Sequence, residues 1–350
     1  MAVTAVALLL LVLCVAPFTQ LTAASSQLNV PHSLGDGPVS VPLRNAAMPG
    51  VMMPVAGLGT GNYGPPGELW DVATCEEAVL NFLKSGGRRI DGALTYHGQL
   101  GVAAAIKASG VPRSEIFITS KTPLVGFNET MRNFEQVLSD LNTTYVDLLL
   151  IHEPCSKTRS TDPNCPPNPT SHKSCRLSQW RAMQEIFKSG RAKSIGVSNY
   201  VARHVQEIID TPGMLLPTVV QNEFQPYCHD NELVTFCWQH NITFNSYAPL
   251  TTPDYGPVVH NWPLKRGVLD EPTMLAIGKK YGKTSAQVTL RWHWEQSIVV
   301  NPRSMNASHI AENLGMFDFK LNAADMEAIA AIVPPSVNGG RVCGNPNKCT

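Results

Sequence analysis

YVDLLLIHEP, residues 145–154, decides the fold. It is a short apolar run of strand length that closes on a polar residue, His152, and then breaks at Pro154. Working outward in both directions, the same unit recurs. Strand-like runs stand at PVAGLGT (54–60), RRIDGA (88–93), EIFITSK (115–121), KSIGVSN (193–199), TVVQNEF (218–224), ITFNSYAPL (242–250) and SIVVNPRS (297–304). Between them lie longer segments of helical period, predicted at 99–109, 130–141, 178–189, 201–210, 229–239, 306–314 and 322–332. Thr74-Cys75-Glu76-Glu77 reads as a capping box opening a helix that ends near Ser85-Gly86-Gly87, and Thr284-Ser285-Ala286-Gln287 repeats the signature.

Eight strands alternating with helices predict an α/β chain folded as a (β/α)8 barrel over residues 41–333. The competing topology, a doubly wound open sheet, wants a glycine-rich turn running straight into a helix. GLGTGNYG at 57–64 has the glycines, but no cap and helix follow it directly. In a barrel, the two long segments 153–177 and 251–269 fall at the C-terminal face, where barrel active sites lie.

Composition narrows the class. Of 350 residues, 43% are hydrophobic and 15% charged, with zero net charge, so the chain is globular and neither nucleic acid nor an anionic membrane is an expected partner. Basic pairs such as Arg88-Arg89 and Lys279-Lys280 read as solvated faces. Residues 1–24 read as a cleavable signal peptide: apolar from Ala5 to Val15, broken at Pro17, then small residues to Ala24. The basic n-region is missing, which keeps an uncleaved anchor as the alternative; no later stretch is long and apolar enough to span. Residues 25–40 form an N-terminal segment, and 334–350 a cysteine-containing tail without a KDEL-like ending. Sequons at Asn128, Asn142, Asn241 and Asn306 predict glycosylation. Nine cysteines become eight when Cys14 leaves with the signal, an even set that suits an oxidising compartment. Cys155, Cys165, Cys175, Cys343 and Cys349 are expected to staple irregular segments; no spacing suggests a structural metal. The expected address is the secretory lumen or the exterior.

The strand ends carry the chemistry. Asp91 closes the second strand with Tyr96 behind it, Lys121 closes the third and His152 the fourth. Ser198 and Asn199 close the fifth, Gln221 lies on the sixth and Tyr247 on the seventh. Taken singly, such residues cap helices or reach solvent, but a barrel gathers them around one mouth. A phenol of ordinary pKa about 10 is a poor acid unless its anion is stabilised. A lysine does that, an aspartate holds the lysine, and a histidine orients a carbonyl oxygen beside the phenol.

GLGTGNYG, RRIDGALTY, IFITSK, YVDLLLIHEP, KSIGVSNY, VVQNEFQPY, SYAPL and NPRSMNASHIAEN, in that order, resemble the aldo-keto reductase superfamily. The resemblance runs from residue 41 to about 332 and includes SVPLRNAAMPGVMMP, which would form a hairpin plugging the barrel bottom. It implies NAD(P)H-dependent reduction of a small-molecule aldehyde or ketone by a monomer. Tyr96 would be the general acid, Lys121 and Asp91 would tune it, and His152 would orient the substrate. Tyr247 would stack on the nicotinamide; Ser198, Asn199 and Gln221 would hold its carboxamide; Gly59, Thr60 and Asp91 would lie nearby. Leu250 would touch the pyrophosphate loop, and Glu312 and Asn313 would bind adenine. Arg303 and Ser304, with His309 where the family usually has arginine, favour NADPH while leaving NADH open, with binding that strengthens as pH falls through the histidine range.

Three departures matter. The family's acidic residue after the tyrosine is Gln99 here, which is expected to loosen the relay's surroundings. The sequon at Asn306 lies inside the adenosine-phosphate segment, where a glycan would obstruct the cofactor. No aromatic residue follows His152, so a polar pocket unsuited to steroids is expected. The alternative is a catalytically weak barrel that serves as a cofactor- or ligand-binding secreted module.

Overall fold

Eight parallel strands in unbroken sequence order make the framework. The computed structural model describes residues 39–43, 50–61, 70–155, 160–166, 171–251 and 267–333. The predicted signal peptide, nearly all of the segment 25–40, the tail from 334, and Cys14, Cys343 and Cys349 lie outside the described residues. An antiparallel pair, β1 (Ser40–Pro42) and β2 (Met52–Pro54), precedes the barrel. The barrel strands are β3 (Leu58–Gly59), β4 (Arg89–Asp91), β5 (Phe117–Thr122), β6 (Leu148–Ile151), β7 (Ile195–Ser198), β8 (Val219–Glu223), β9 (Thr243–Tyr247) and β10 (Val299–Asn301). Closure comes from the segment before β3: Gly57 N donates to Val300 O at 2.9 Å and Val300 N to Val55 O at 3.0 Å. The open-sheet alternative is thereby excluded.

The apolar run at 145–152 is continuous because both of its faces are buried. Leu148 and Leu150 point into the barrel with Val55, Phe117 and Val219, while Leu149 and Ile151 face the outer helices with Trp180 and Ile186. Val41, Leu43 and Met53 of the hairpin join the inner set, so the hairpin floors the barrel. Two glycines let elements approach closely. A Cβ on Gly196 would sit 2.4 Å from Val219 O, and one on Gly101 would sit 2.2 Å from Val72 O.

Helix positions agree with the periodicity, with corrections: Lys173–Lys188 and Phe127–Asp140 begin five and three residues before the predicted 178 and 130. The helix predicted from Thr74 begins earlier, at Val72–Lys84, because Asp71 is the cap and accepts from Thr74 N at 2.8 Å. A helix at Pro272–Tyr281 occupies sequence left unassigned. Its signals were present: proline in the first turn and Gly282 in the left-handed region after the last. The box at Thr284 forms as predicted, with Gln287 N donating to Thr284 Oγ1 and Thr284 N to Gln287 Oε1.

Cys165 and Cys175 form a disulfide, and Cys155 and Cys228 are also disulfide-bonded. Cys75 and Cys237 are buried free thiols, so the even cysteine set is not fully paired.

Candidate active site

β4 ends inside the barrel with Asp91, only 4% exposed, and the chain then turns through a short 3-10 stretch, Leu94–Tyr96. That turn swings the Tyr96 phenol back over the mouth. Lys121, on β5 and 1% exposed, places Nζ 2.5 Å from Asp91 Oδ1 and 2.8 Å from Gly92 O. The same Nζ lies 5.0 Å from the centre of the Tyr96 ring. His152, just past β6, sets Nε2 3.3 Å from the Tyr96 hydroxyl and Nδ1 3.2 Å from Thr95 Oγ1. Phenol, ammonium, carboxylate and imidazole therefore converge as the strand-end reading predicted.

Burial, with the Lys121 charge adding to it, pushes the His152 imidazole down to about 3. It is neutral at any working pH. Burial also lowers the Lys121 ammonium, and Asp91 counters this through charge and a direct hydrogen bond.

The residues assigned to the nicotinamide end also meet. Ser198 Oγ donates to Gln221 O at 2.9 Å, Asn199 Nδ2 to His152 O at 2.8 Å, and Tyr247 OH to Asn199 Oδ1 at 2.6 Å. Gln221 Nε2 donates to both Asp91 Oδ2 at 2.6 Å and Asn245 Oδ1 at 2.9 Å, so Oε1 is the group it can turn to a carboxamide. Asn199 holds its place in the left-handed region, at φ 61°. Thr60 also braces the relay: its hydroxyl and its amide both donate to the Asp91 carbonyl, at 3.0 and 2.9 Å. Gly59 lies beside β10, where an added Cβ would come 3.1 Å from Asn301 O.

At the other end, Arg303 Nη1 donates to Gly61 O at 2.7 Å, and its guanidinium lies 5.0 Å from the centre of the Trp70 ring. Ser304 Oγ accepts from Asn306 N, and Asn306 caps the helix Ala307–Leu314 by accepting from Ser308 N at 2.8 Å. His309 is exposed, Glu312 half-buried and Asn313 buried. A guanidinium, a hydroxyl and a helix N-terminus on one rim fit a phosphate-bearing nucleotide. Leu250 packs against the inner core, and residues 252–266 that follow lie outside the described residues.

Two expectations change. Gln99 does not loosen the relay. Only 3% exposed, it accepts from Ser120 Oγ at 2.6 Å and ties the turn to β5. Arg89 is not a solvated residue: it is wholly buried inside the barrel. Thr95 and Trp70 were not singled out in the sequence, and each touches a residue that was.

The Aldo/keto reductase family pattern matches residues 56–334. The chain belongs to that family. Aldo-keto reductase family 1 member A1 of Xenopus tropicalis is 35% identical over 300 residues, covering 81% of this chain and 86% of the relative. Glyoxal reductase of Bacillus subtilis is 34% identical over 305 residues, covering 87% and 95%. Among solved structures, the aldo-keto reductase of Bombyx mori in complex with NADP superposes with a TM-score of 0.73 at 27% identity, covering 89% of this chain and 97% of that one. Aldo-keto reductases are oxidoreductases that use NAD(P)H, and carbonyl reduction is the general chemistry of this family.

Proposed function

We propose that this family member reduces a small, polar aldehyde or ketone to its alcohol with NADPH, Tyr96 giving the proton. The observation that carries this reading is the Tyr96 phenol set over the buried Lys121–Asp91 pair with His152 at its hydroxyl. A reduced nicotinamide, when bound, supplies hydride. Tyr96 protonates the carbonyl oxygen, and Lys121, held charged by Asp91, favours the phenolate that remains. His152, being neutral, offers one N–H to orient that oxygen and does not compete as the acid.

Ser198, Asn199, Gln221 and Tyr247 would hold the nicotinamide end, with Gly59 and Thr60 lining the approach. Arg303 and Ser304 at the helix N-terminus would hold a 2′-phosphate, which supports NADPH over NADH. A polar substrate is supported by the exposed Thr95 hydroxyl, by Glu153 following His152, and by the glyoxal reductase among the relatives. The secretory pathway as its location is supported by the apolar leader, by the exposure of the sequon asparagines Asn128, Asn142 and Asn241, and by the Cys165–Cys175 disulfide.

The test uses protein purified from a secretory host. NADPH and NADH are titrated against tryptophan and tyrosine fluorescence, and aldehydes and ketones are then supplied, with Tyr96→Phe alongside. Tight NADPH binding with turnover that Tyr96→Phe abolishes is the expected result. Failure to bind either nucleotide would overturn the reading in favour of a barrel that has kept the residues without the chemistry.

A further inference from the structure

β4 alternates across the barrel wall. Ile90 faces the outer helices, so Arg89 and Asp91 both point inward. Arg89 therefore lies inside the barrel, one step below the relay, with no exposed surface. Its partners are all neutral. Nη2 donates to Val55 O at 2.8 Å and to Val300 O at 2.7 Å, and Nη1 donates to Asn301 Oδ1 at 2.5 Å and to Asn245 Oδ1 at 3.5 Å. Nε has no partner among the described residues. Gly57 makes the space, since a Cβ there would come 2.7 Å from Arg89 Cζ.

A charge buried without a counter-ion in contact is strongly disfavoured, and the surrounding floor of Val55, Phe117 and Leu148 would accept an apolar side chain. Something offsets that cost. Asp91 carries one negative charge, and Lys121 and Arg89 carry one positive charge each. The buried set is thus positive by one while Tyr96 is protonated, and neutral when Tyr96 has given its proton away. A physical bridge joins the two ends: Asn245 Oδ1 accepts from both Arg89 and Gln221, and Gln221 donates to Asp91.

We propose that Arg89 is a positioning residue for proton transfer, its enclosed positive charge acting through Asp91 and Lys121 to favour loss of the Tyr96 proton. Burial lowers its guanidinium to about 10, with Asp91 opposing, so the charge persists at neutral pH. The Arg89 charge is in turn among the causes that lower Lys121, after burial. The titratable groups around Arg89 are Asp91 on its own strand and Lys121 on β5; β3, β9 and β10 present neutral groups, among them Asn245 and Asn301, and β8 presents Gln221, with the buried Glu223 two residues further along the same face. Around Tyr96 stand Lys121, Asp91 and His152, with His97 and Glu153 next to Tyr96 and His152 in the chain.

The inference rests on the carbonyl-reductase reading, yet its central test needs no cofactor. Tyrosinate ultraviolet absorbance is titrated in the full chain with and without Tyr96→Phe, and the difference isolates Tyr96. In Arg89→Gln that titration is expected about one pH unit higher. Arg89→Lys, which keeps the charge, restores the wild-type position. Asn301→Asp sets a carboxylate against the guanidinium at nearly unchanged volume and produces the same upward move, which covers the case of an Arg89→Gln that does not fold. An unmoved Tyr96 titration in Asn301→Asp, or in a folded Arg89→Gln, overturns the proposal. With NADPH and an aldehyde, the basic limb of the kcat profile follows the same shifts while KM for NADPH holds. Wild-type protein that turns over with Tyr96 unmoved defeats this inference alone. Tyr96 shifting in protein that reduces no carbonyl defeats the reductase reading instead.

Discussion

The hydroxyl of Thr95 lies 3.2 Å from His152 Nδ1, while Nε2 of the same ring faces Tyr96 OH at 3.3 Å. A neutral imidazole has one N–H, and a Thr95 hydroxyl donating to Nδ1 leaves that proton on Nε2, where a substrate oxygen needs it. Thr95→Val removes the donor at similar volume. Its kcat is expected to fall by about three- to tenfold, the worth of one modest hydrogen bond. Because Thr95 is exposed, the melting temperature stays put. Steady-state kinetics beside a thermal melt check both, and an unchanged kcat would remove Thr95 from the orienting set.

The depressed value of His152 bears on stability. Folded, it is held at about 3 by burial and the Lys121 charge; unfolded, it returns to about 6.5. The unfolded chain therefore takes up a proton that the folded one refuses. Stability from this group is complete above about 6.5 and is lost as pH falls toward the folded value, by about 1.4 kcal/mol per pH unit. His293 and His229, also lowered by burial, add to the slope, so urea unfolding at stepped pH should show a steeper one that His152→Gln reduces by about 1.4 kcal/mol per pH unit.

Arg303 offers a test of cofactor choice. Its guanidinium bridges the Gly61 carbonyl and the Trp70 face, already placed at the rim. Arg303→Ala is expected to weaken NADPH binding by about tenfold or more, as for a charge-assisted hydrogen bond, and NADH binding far less. Equal losses for both nucleotides in a fluorescence titration would mean that Arg303 only braces the loop.

Gly101→Ala sets helix propensity against packing. Alanine gains about 1 kcal/mol in a helix interior. Here the added methyl would meet Val72 O at 2.2 Å and Glu76 N at 3.0 Å, both backbone atoms of the neighbouring helix. Helices Val72–Lys84 and Gln99–Ser109 must then part, so net destabilisation of about 1–3 kcal/mol is expected despite the better helix former. A gain in stability on chemical denaturation would show that the helix pair can slide.

The barrel and its ring of strand ends were legible because periodicity and strand-end polarity are local signals. What escaped is relational. Arg89 stands beside Arg88 in a basic pair, and only strand alternation together with barrel closure shows that it points inward to Asn245 and Asn301, far away in the chain. Gln99 looked like the loss of a carboxylate because its partner Ser120, on the outward face of β5, lies 21 residues away in the chain. Thr95 is an ordinary hydroxyl until the loop after β6 brings His152 to it. The helix at Pro272–Tyr281 is different: its end signals were readable, but the adjoining long loop masked them.

The helix Phe127–Asp140 begins at Gly126, which has no side chain to cap it. Asp162 serves instead, accepting from Phe127 N at 2.7 Å across a separation of 35 residues, while Ser160 reaches the Val125 carbonyl. Hydrogen bonds from Phe127, Asn164 and Ser178 outweigh burial and keep that carboxylate ionised. The same short loop is closed by Cys165–Cys175. As the chain emerges during synthesis, the start of this helix must wait for β6 and the loop beyond it. Completing one turn of α-helix is thereby tied to a segment made later, which Ser178 anchors through Asp162 and the Cys165–Cys175 disulfide closes.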